Sequence, residues 1–216
     1  MKLKLKIKNL EKYLAALGLL CIIGIIVGYN IFTVPYQNKT RTKNQASLHD
    51  LPPDDFDNVW QFALTDQFGN KFDSQNLKGK LTLVYFGFTF CPDICPNSLS
   101  KIVEIISTCK KYAIDLTTIF ITIDPARDTS ANLLSYLQFF DADIIGLTGS
   151  PDEIKTAASI FKVYYAKDKD ADVKNYMLNH SSFIYLIDKN GKLAKLFSFE
   201  EKPQEIIEFI RVNFRK

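Results

Sequence analysis

The stretch "LTLVYFGFTFCPDICP", residues 81–96, joins a β-rich apolar run to two cysteines set four residues apart between prolines. "LTLVYFG" (81–87) has the continuous hydrophobicity of a strand buried on both faces, as in a parallel sheet. Beyond Cys95 the apolar residues Leu99, Ile102, Val103, Ile105 and Ile106 recur at helical spacing to about Tyr112. The two thiols therefore stand where a buried strand hands over to a helix, at the carboxyl end of a sheet, where sites tend to be built.

Outward from this junction the pattern keeps alternating. On the N-terminal side, "VWQFALT" (59–65), a turn at "DQFGN" and a short strand near Lys71–Phe72 predict a β-hairpin. On the C-terminal side, "TTIFITI" (117–123) is a second buried strand, followed by a helix capped by Asp128, Thr129 or Ser130. "DIIGLTG" (143–149) precedes a helix from Pro151 to about Phe161, with Ser150 as cap and proline at the first helical position. "SSFIYLID" (181–188), a turn at "KNG", "KLAKLFSF" (192–199) and a helix from Pro203 to Phe214 complete the series. The order β-α-β-α and later β-β-α outlines an α/β, thioredoxin-like fold with an N-terminal β-hairpin.

The first fifty residues are of another kind. Tyr13 to Val34 run 22 residues without a charge, about 33 Å as a helix, which is enough to cross a bilayer. The segment has neither the short core nor the small-residue exit of a cleaved signal, and Cys21 follows two leucines rather than a lipoprotein cleavage site. It reads as a single-pass transmembrane signal anchor. Five lysines precede it and Lys39, Arg41 and Lys43 follow, which favours a cytoplasmic N-terminus. The expected layout is a basic cytoplasmic end (1–12), the anchor (13–34), a polar tether (35–53) and a globular domain (54–216) in a bacterial periplasm, where paired thiols can oxidise. The tether, with an r.m.s. reach of about 25 Å, would keep the domain near the membrane surface, and His49 within it reads as a solvated residue. Setting aside the charges before residue 46 leaves 19 basic against 23 acidic residues, so no basic face for nucleic acid is indicated.

By itself the C-x-x-x-C spacing leaves three readings open: half of a metal site, a redox pair, or two structural thiols. A helix N-terminus carries about half a positive charge and favours thiolate over thiol, a position that inert thiols would not need. His180 is the only histidine of the globular region. It lies just before a strand expected to run antiparallel to the cysteine-bearing one, about 4.8 Å away, which would bring it to face Cys91 and Cys95. Two thiolates and an imidazole make a soft three-ligand set suited to copper(I), and to copper(II) if a further ligand joins. Structural zinc would usually want a fourth protein ligand. Cys109, fourteen residues along the helix from Cys95 and so about 21 Å away, is a core or free thiol. In "DPARDT" (124–129), Asp124 and Arg127 could tune the thiolates or dock a partner, but read more simply as an ion pair beside a helix cap. Asp93, between the thiols, could repel anionic partners or cap the turn.

"FGFTFCPDICP", "TIDPARDT" (122–129) and "NHSSFIYLID" (179–188) resemble, in order and spacing, the Sco/SenC family of membrane-anchored copper chaperones, from about Trp60 to Phe214. The resemblance implies that Cys91, Cys95 and His180 are copper ligands. It also implies copper delivery to the binuclear copper centre of cytochrome c oxidase, with the copper-bearing oxidase subunit as partner. Where the family commonly has aspartate before the histidine, this chain has Asn179, which removes a charge near the site. A metallochaperone rather than an enzyme is expected. The alternative is a thiol–disulfide oxidoreductase that keeps the target cysteines of the oxidase subunit reduced and needs a redox partner of its own. A peroxidase relative would need one sharply activated cysteine instead of a symmetric pair.

Overall fold

Leu81–Gly87 (β3) is buried at every position and forms the spine of a seven-stranded sheet. The computed structural model describes residues 59, 61–167 and 176–214. Before β3 come Ala63–Asp66 (β1), Lys71–Asp73 (β2) and a 3-10 turn at Ser74–Leu77. After it follow Ile94–Lys111 (α1), Leu116–Thr122 (β4), Ser130–Gln138 (α2), Ile145–Thr148 (β5) and Pro151–Ile160 (α3). Tyr165–Lys167 (β6), Leu178–His180 (β7), Ile184–Ile187 (β8), Leu193–Phe197 (β9) and Pro203–Phe214 (α4) complete the domain.

The strand order is β2-β1-β5-β4-β3-β8-β9. β3, β4 and β5 are parallel neighbours, joined by the helical crossovers that parallel pairing requires. β8 lies antiparallel against β3, with Tyr85 opposite Ile184 and Thr82 opposite Ile187. The N-terminal hairpin joins the same sheet through β1 and β5. This is the expected thioredoxin-like α/β architecture. One element departs from expectation, because β6 and β7 form a separate two-stranded ribbon outside the main sheet. The expected anchor (13–34) and the whole tether (35–53), His49 included, lie outside the described residues. Among the described residues no helix is long and apolar enough to cross a membrane.

Side chains alternate across β3 and supply a core on each face. Tyr85 packs on Phe120, which meets Tyr136 of α2. Phe86 points the other way, into Phe161 and Tyr185. Each such side chain removed from water contributes about 1.5–3 kcal/mol. α1 turns Cys95, Leu99, Ile102, Ile105 and Cys109 inward, while α4 buries Ile206, Ile207 and Ile210. α3 starts with the expected proline and a capping box, in which Ser150 Oγ accepts from Glu153 N–H and the Glu153 carboxylate accepts from Ser150 N–H.

Candidate metal centre

The two cysteines lie at the β3–α1 junction. A Cβ on Gly87 would stand 2.9 Å from Cys95 Sγ and 2.9 Å from the Phe120 ring, so the absence of a side chain lets the strand end approach the thiol. The turn 88–91 is fixed from beneath by Asp128, which is fully buried. Its carboxylate accepts from Thr89 N–H at 3.0 Å, Thr89 Oγ1 at 2.5 Å and Thr122 Oγ1 at 2.6 Å. The sequence offered Asp128 only as a candidate cap, and no local signal shows a bond across 39 residues. The cap of α2 is Thr129, whose hydroxyl accepts from Asn132 N–H at 3.2 Å.

Cys91 is half-buried and Cys95 buried. The N–H of Cys95, in the first turn of α1, donates to Cys91 Sγ at 3.3 Å. The sulfur thus takes the acceptor position that a serine or aspartate oxygen fills at other helix starts. Asp93 occupies the N-cap position without capping a backbone N–H of the helix, and accepts instead from the Asn97 side chain, Nδ2, at 2.7 Å.

This geometry separates the two thiols electrically. Hydrogen bonding from Cys95 holds Cys91 down to about 3, helped by His180 and by the backbone N–H groups of Cys95 and Asp93 and opposed by burial. The bond Cys95 makes to Cys91, its burial and the nearby Cys91 charge push Cys95 far above the ordinary thiol range. At neutral pH the pair therefore keeps one proton, with the thiolate on the more accessible sulfur. Cys109 sits on the inward face of α1, its pKa raised to about 11 by burial, as a core thiol should be.

His180 ends β7, on the ribbon, rather than adjoining β3 as the strand pattern predicted. The reason is local: Ser181 N–H donates to the Tyr164 carbonyl and Tyr164 N–H to Ser181 Oγ, which prolongs the ribbon, so β8 begins only at Ile184. The predicted convergence nevertheless occurs. His180 Nε2 lies 3.7 Å from Cys95 Sγ, and the edge-to-face contact of its ring with Phe88 has centroids 5.8 Å apart. Nδ1 lies 2.9 Å from the Ser181 carbonyl oxygen, which can only accept, so Nδ1 carries a hydrogen and Nε2 is the ring nitrogen turned toward the sulfurs. Asn179 is exposed, on the other side of the ribbon by strand alternation. Asp124 and Arg127 form the expected ion pair, at 2.5 Å.

Among the described residues no group of three or more His, Cys, Asp and Glu side chains stands close enough together to hold a metal ion as it is. The S···N separation of 3.7 Å nonetheless suits a shared ion. A sulfur bonded at about 2.3 Å and a nitrogen at about 2.0 Å, subtending about 110–120°, stand about 3.5–3.7 Å apart. A groove of about 960 Å³, between Val103–Lys110 of α1 and Leu134–Gln138 of α2, lies at the opposite end of the sheet and holds none of these residues.

Comparison with known proteins agrees with the fold and the motif order. A family model described as SCO1/SenC matches residues 52–214. The SCO2-like protein of Rickettsia felis is 44% identical over 196 residues, covering 90% of this chain and 96% of its own. The crystal structure of yeast Sco1 with copper bound superimposes with a TM-score of 0.66 at 39% identity, covering 70% of this chain and 85% of that one. BsSco, a member of the Sco family of cytochrome c oxidase assembly proteins in which a disulfide switch was identified, superimposes at 0.56 with 28% identity over 69% of this chain and 89% of its own. With a family model spanning most of its length and a relative aligned almost end to end, this chain belongs to the SCO1/SenC family.

Proposed function

We propose that this protein is a copper chaperone of cytochrome c oxidase assembly, in which Cys91, Cys95 and His180 hold one copper ion and pass it to the copper-bearing oxidase subunit. The observation that carries the reading is the approach of an imidazole nitrogen, oriented through the other ring nitrogen, to the buried sulfur of a thiolate–thiol pair. Soft donors in small number suit copper(I), and a site with few ligands can release its ion by ligand exchange. Binding would take the remaining proton from Cys95, since thiolates are the ligands. Segment 13–34 would anchor the chain in a bacterial cytoplasmic membrane, with the domain from residue 54 onward in the periplasm. Bacterial relatives such as the Rickettsia felis protein support that compartment.

Anaerobic titration of the reduced chain with copper(I) tests the reading. One ion should bind per chain, and His180→Ala should weaken binding tenfold or more, about 1.4 kcal/mol. Unchanged affinity in that variant would reject the three-ligand site.

A second reading rests on the bond between the thiols. A half-exposed thiolate beside a thiol can attack a target disulfide and then close on its neighbour, releasing two thiols from the target as Cys91 and Cys95 become a disulfide. Failure of the reduced pair to exchange with an oxidised target peptide would leave the copper role alone.

A further inference from the structure

The ribbon β6–β7 carries His180 but lies outside the main sheet, so no strand ladder of that sheet sets the distance between imidazole and thiols. Another contact has to hold the two halves of the site together. Arg127 stands between them. Its guanidinium carbon lies 4.5 Å from the centroid of Phe90, the residue before Cys91, and 3.7 Å from that of Tyr176, four residues before His180. On the ribbon side, Lys167 Nζ lies 3.7 Å from the Tyr176 centroid. Phe90, Arg127, Tyr176 and Lys167 thus alternate ring and cation across three chain segments, an arrangement in which each cation meets an aromatic face.

Arg127 also reaches the imidazole by a second route. Its guanidinium lies 5.9 Å from the Phe88 centroid, and Phe88 packs edge-to-face on the His180 ring. Asp124 braces the arrangement, accepting from Arg127 Nε and from Tyr176 Oη, each at 2.5 Å. The Arg127 side chain is only 15% exposed, deep for an arginine in a loop. An ion pair with Asp124 alone would not require the two rings that enclose it.

We propose that Arg127 is a positioning residue, a clasp that ties the cysteine loop to the histidine ribbon through Phe90, Phe88 and Tyr176 and thereby sets how fully His180 completes the three-donor site. The claim rests on the copper reading above for its functional consequence, and on the packing for its structural one. Because the clasp acts through His180, its removal should matter only when His180 is present.

The test uses the full-length reduced chain in detergent, with Arg127→Gln, which keeps a long polar side chain without the charge, and Phe90→Leu. Phe90 is 55% exposed, so Phe90→Leu removes one ring of the column without stranding Asp124 as a buried charge and keeps the question decidable if Arg127→Gln does not fold. Two quantities are measured: copper(I) affinity by competition with a chromophoric copper(I) chelator, in native and His180→Ala backgrounds, and amide hydrogen exchange of the metal-free chain. Arg127→Gln should weaken copper(I) at least fivefold in the native background and less than twofold beside His180→Ala. In the metal-free chain, amides of 165–167 and 178–180 should exchange at least tenfold faster, with β3 and β4 unchanged; Phe90→Leu should shift both readouts in the same direction by less. Equal losses of affinity in the two backgrounds, or unaltered ribbon exchange in both variants, would overturn the clasp. If cysteine and histidine variants bind copper as the native chain does, the copper reading has failed, and the exchange measurement still decides whether Arg127 holds the ribbon.

Discussion

Cys91 shows how one side chain can serve local structure and chemistry together. Its sulfur accepts an N–H at the start of α1, and the same bond, with those from Cys95 and His180, keeps it ionised. Iodoacetamide should therefore label Cys91 of the reduced protein first, at a rate nearly flat from pH 8 to about 5 and falling only as the pH nears about 3, whereas Cys95 should react on unfolding. A labelling profile centred near the ordinary thiol pKa, about 8.5, would contradict the arrangement. The linkage has a definite sign. Cys91 is depressed in the fold, so its contribution to stability is full above the unfolded thiol value and is lost as pH falls from about 9 toward about 3. Cys95 is raised, and its contribution is full below the unfolded thiol value and is lost progressively as pH rises above it. At this scale the sequence was legible for the residues with unusual chemistry, Cys91, Cys95 and His180, because few residue types can do such work. It was mute on Asp128 and on the rings about Arg127, whose roles exist only between segments distant along the chain.

Among the elements, β3 and α4 match their sequence patterns residue for residue, because seven unbroken apolar positions and a proline-started amphipathic stretch leave little choice. α1 begins one residue earlier than its pattern suggested, and β1 covers the last three residues of its pattern, Ala63–Thr65, and adds Asp66. The ribbon was not legible. "YAK" is three residues long, too short for alternation to show, and it gains its partner only from pairing with 178–180. Gly87 belongs to this scale, since it ends one element so that the next can begin against it. Gly87→Ala should destabilise the reduced protein by about 1–3 kcal/mol through overpacking against Cys95 and Phe120. It should also weaken copper retention, both read from denaturant melts and chelator competition. Wild-type stability in that variant would mean that the junction is looser than its contacts imply.

For the whole molecule, the α/β class and strand–helix order followed from periodicity, and the antiparallel neighbour expected beside β3 is β8, with β4 parallel on its other edge. A ligand that binds only the folded chain must raise its stability, by about 4 kcal/mol when free copper stands a thousandfold above its dissociation constant. Thermal unfolding of the reduced chain should accordingly shift upward on stoichiometric copper(I), and His180→Ala should reduce the shift; equal shifts would place the ion elsewhere. The antiparallel seam of β3 with β8 has one more consequence, for the order of events at synthesis. Both sulfurs emerge from the ribosome at least 85 residues before the imidazole ring, and β8, the strand that pairs with β3, emerges later still. A chain caught part-way holds sulfur without imidazole, so a complete cargo site is itself the signal that the domain has finished folding.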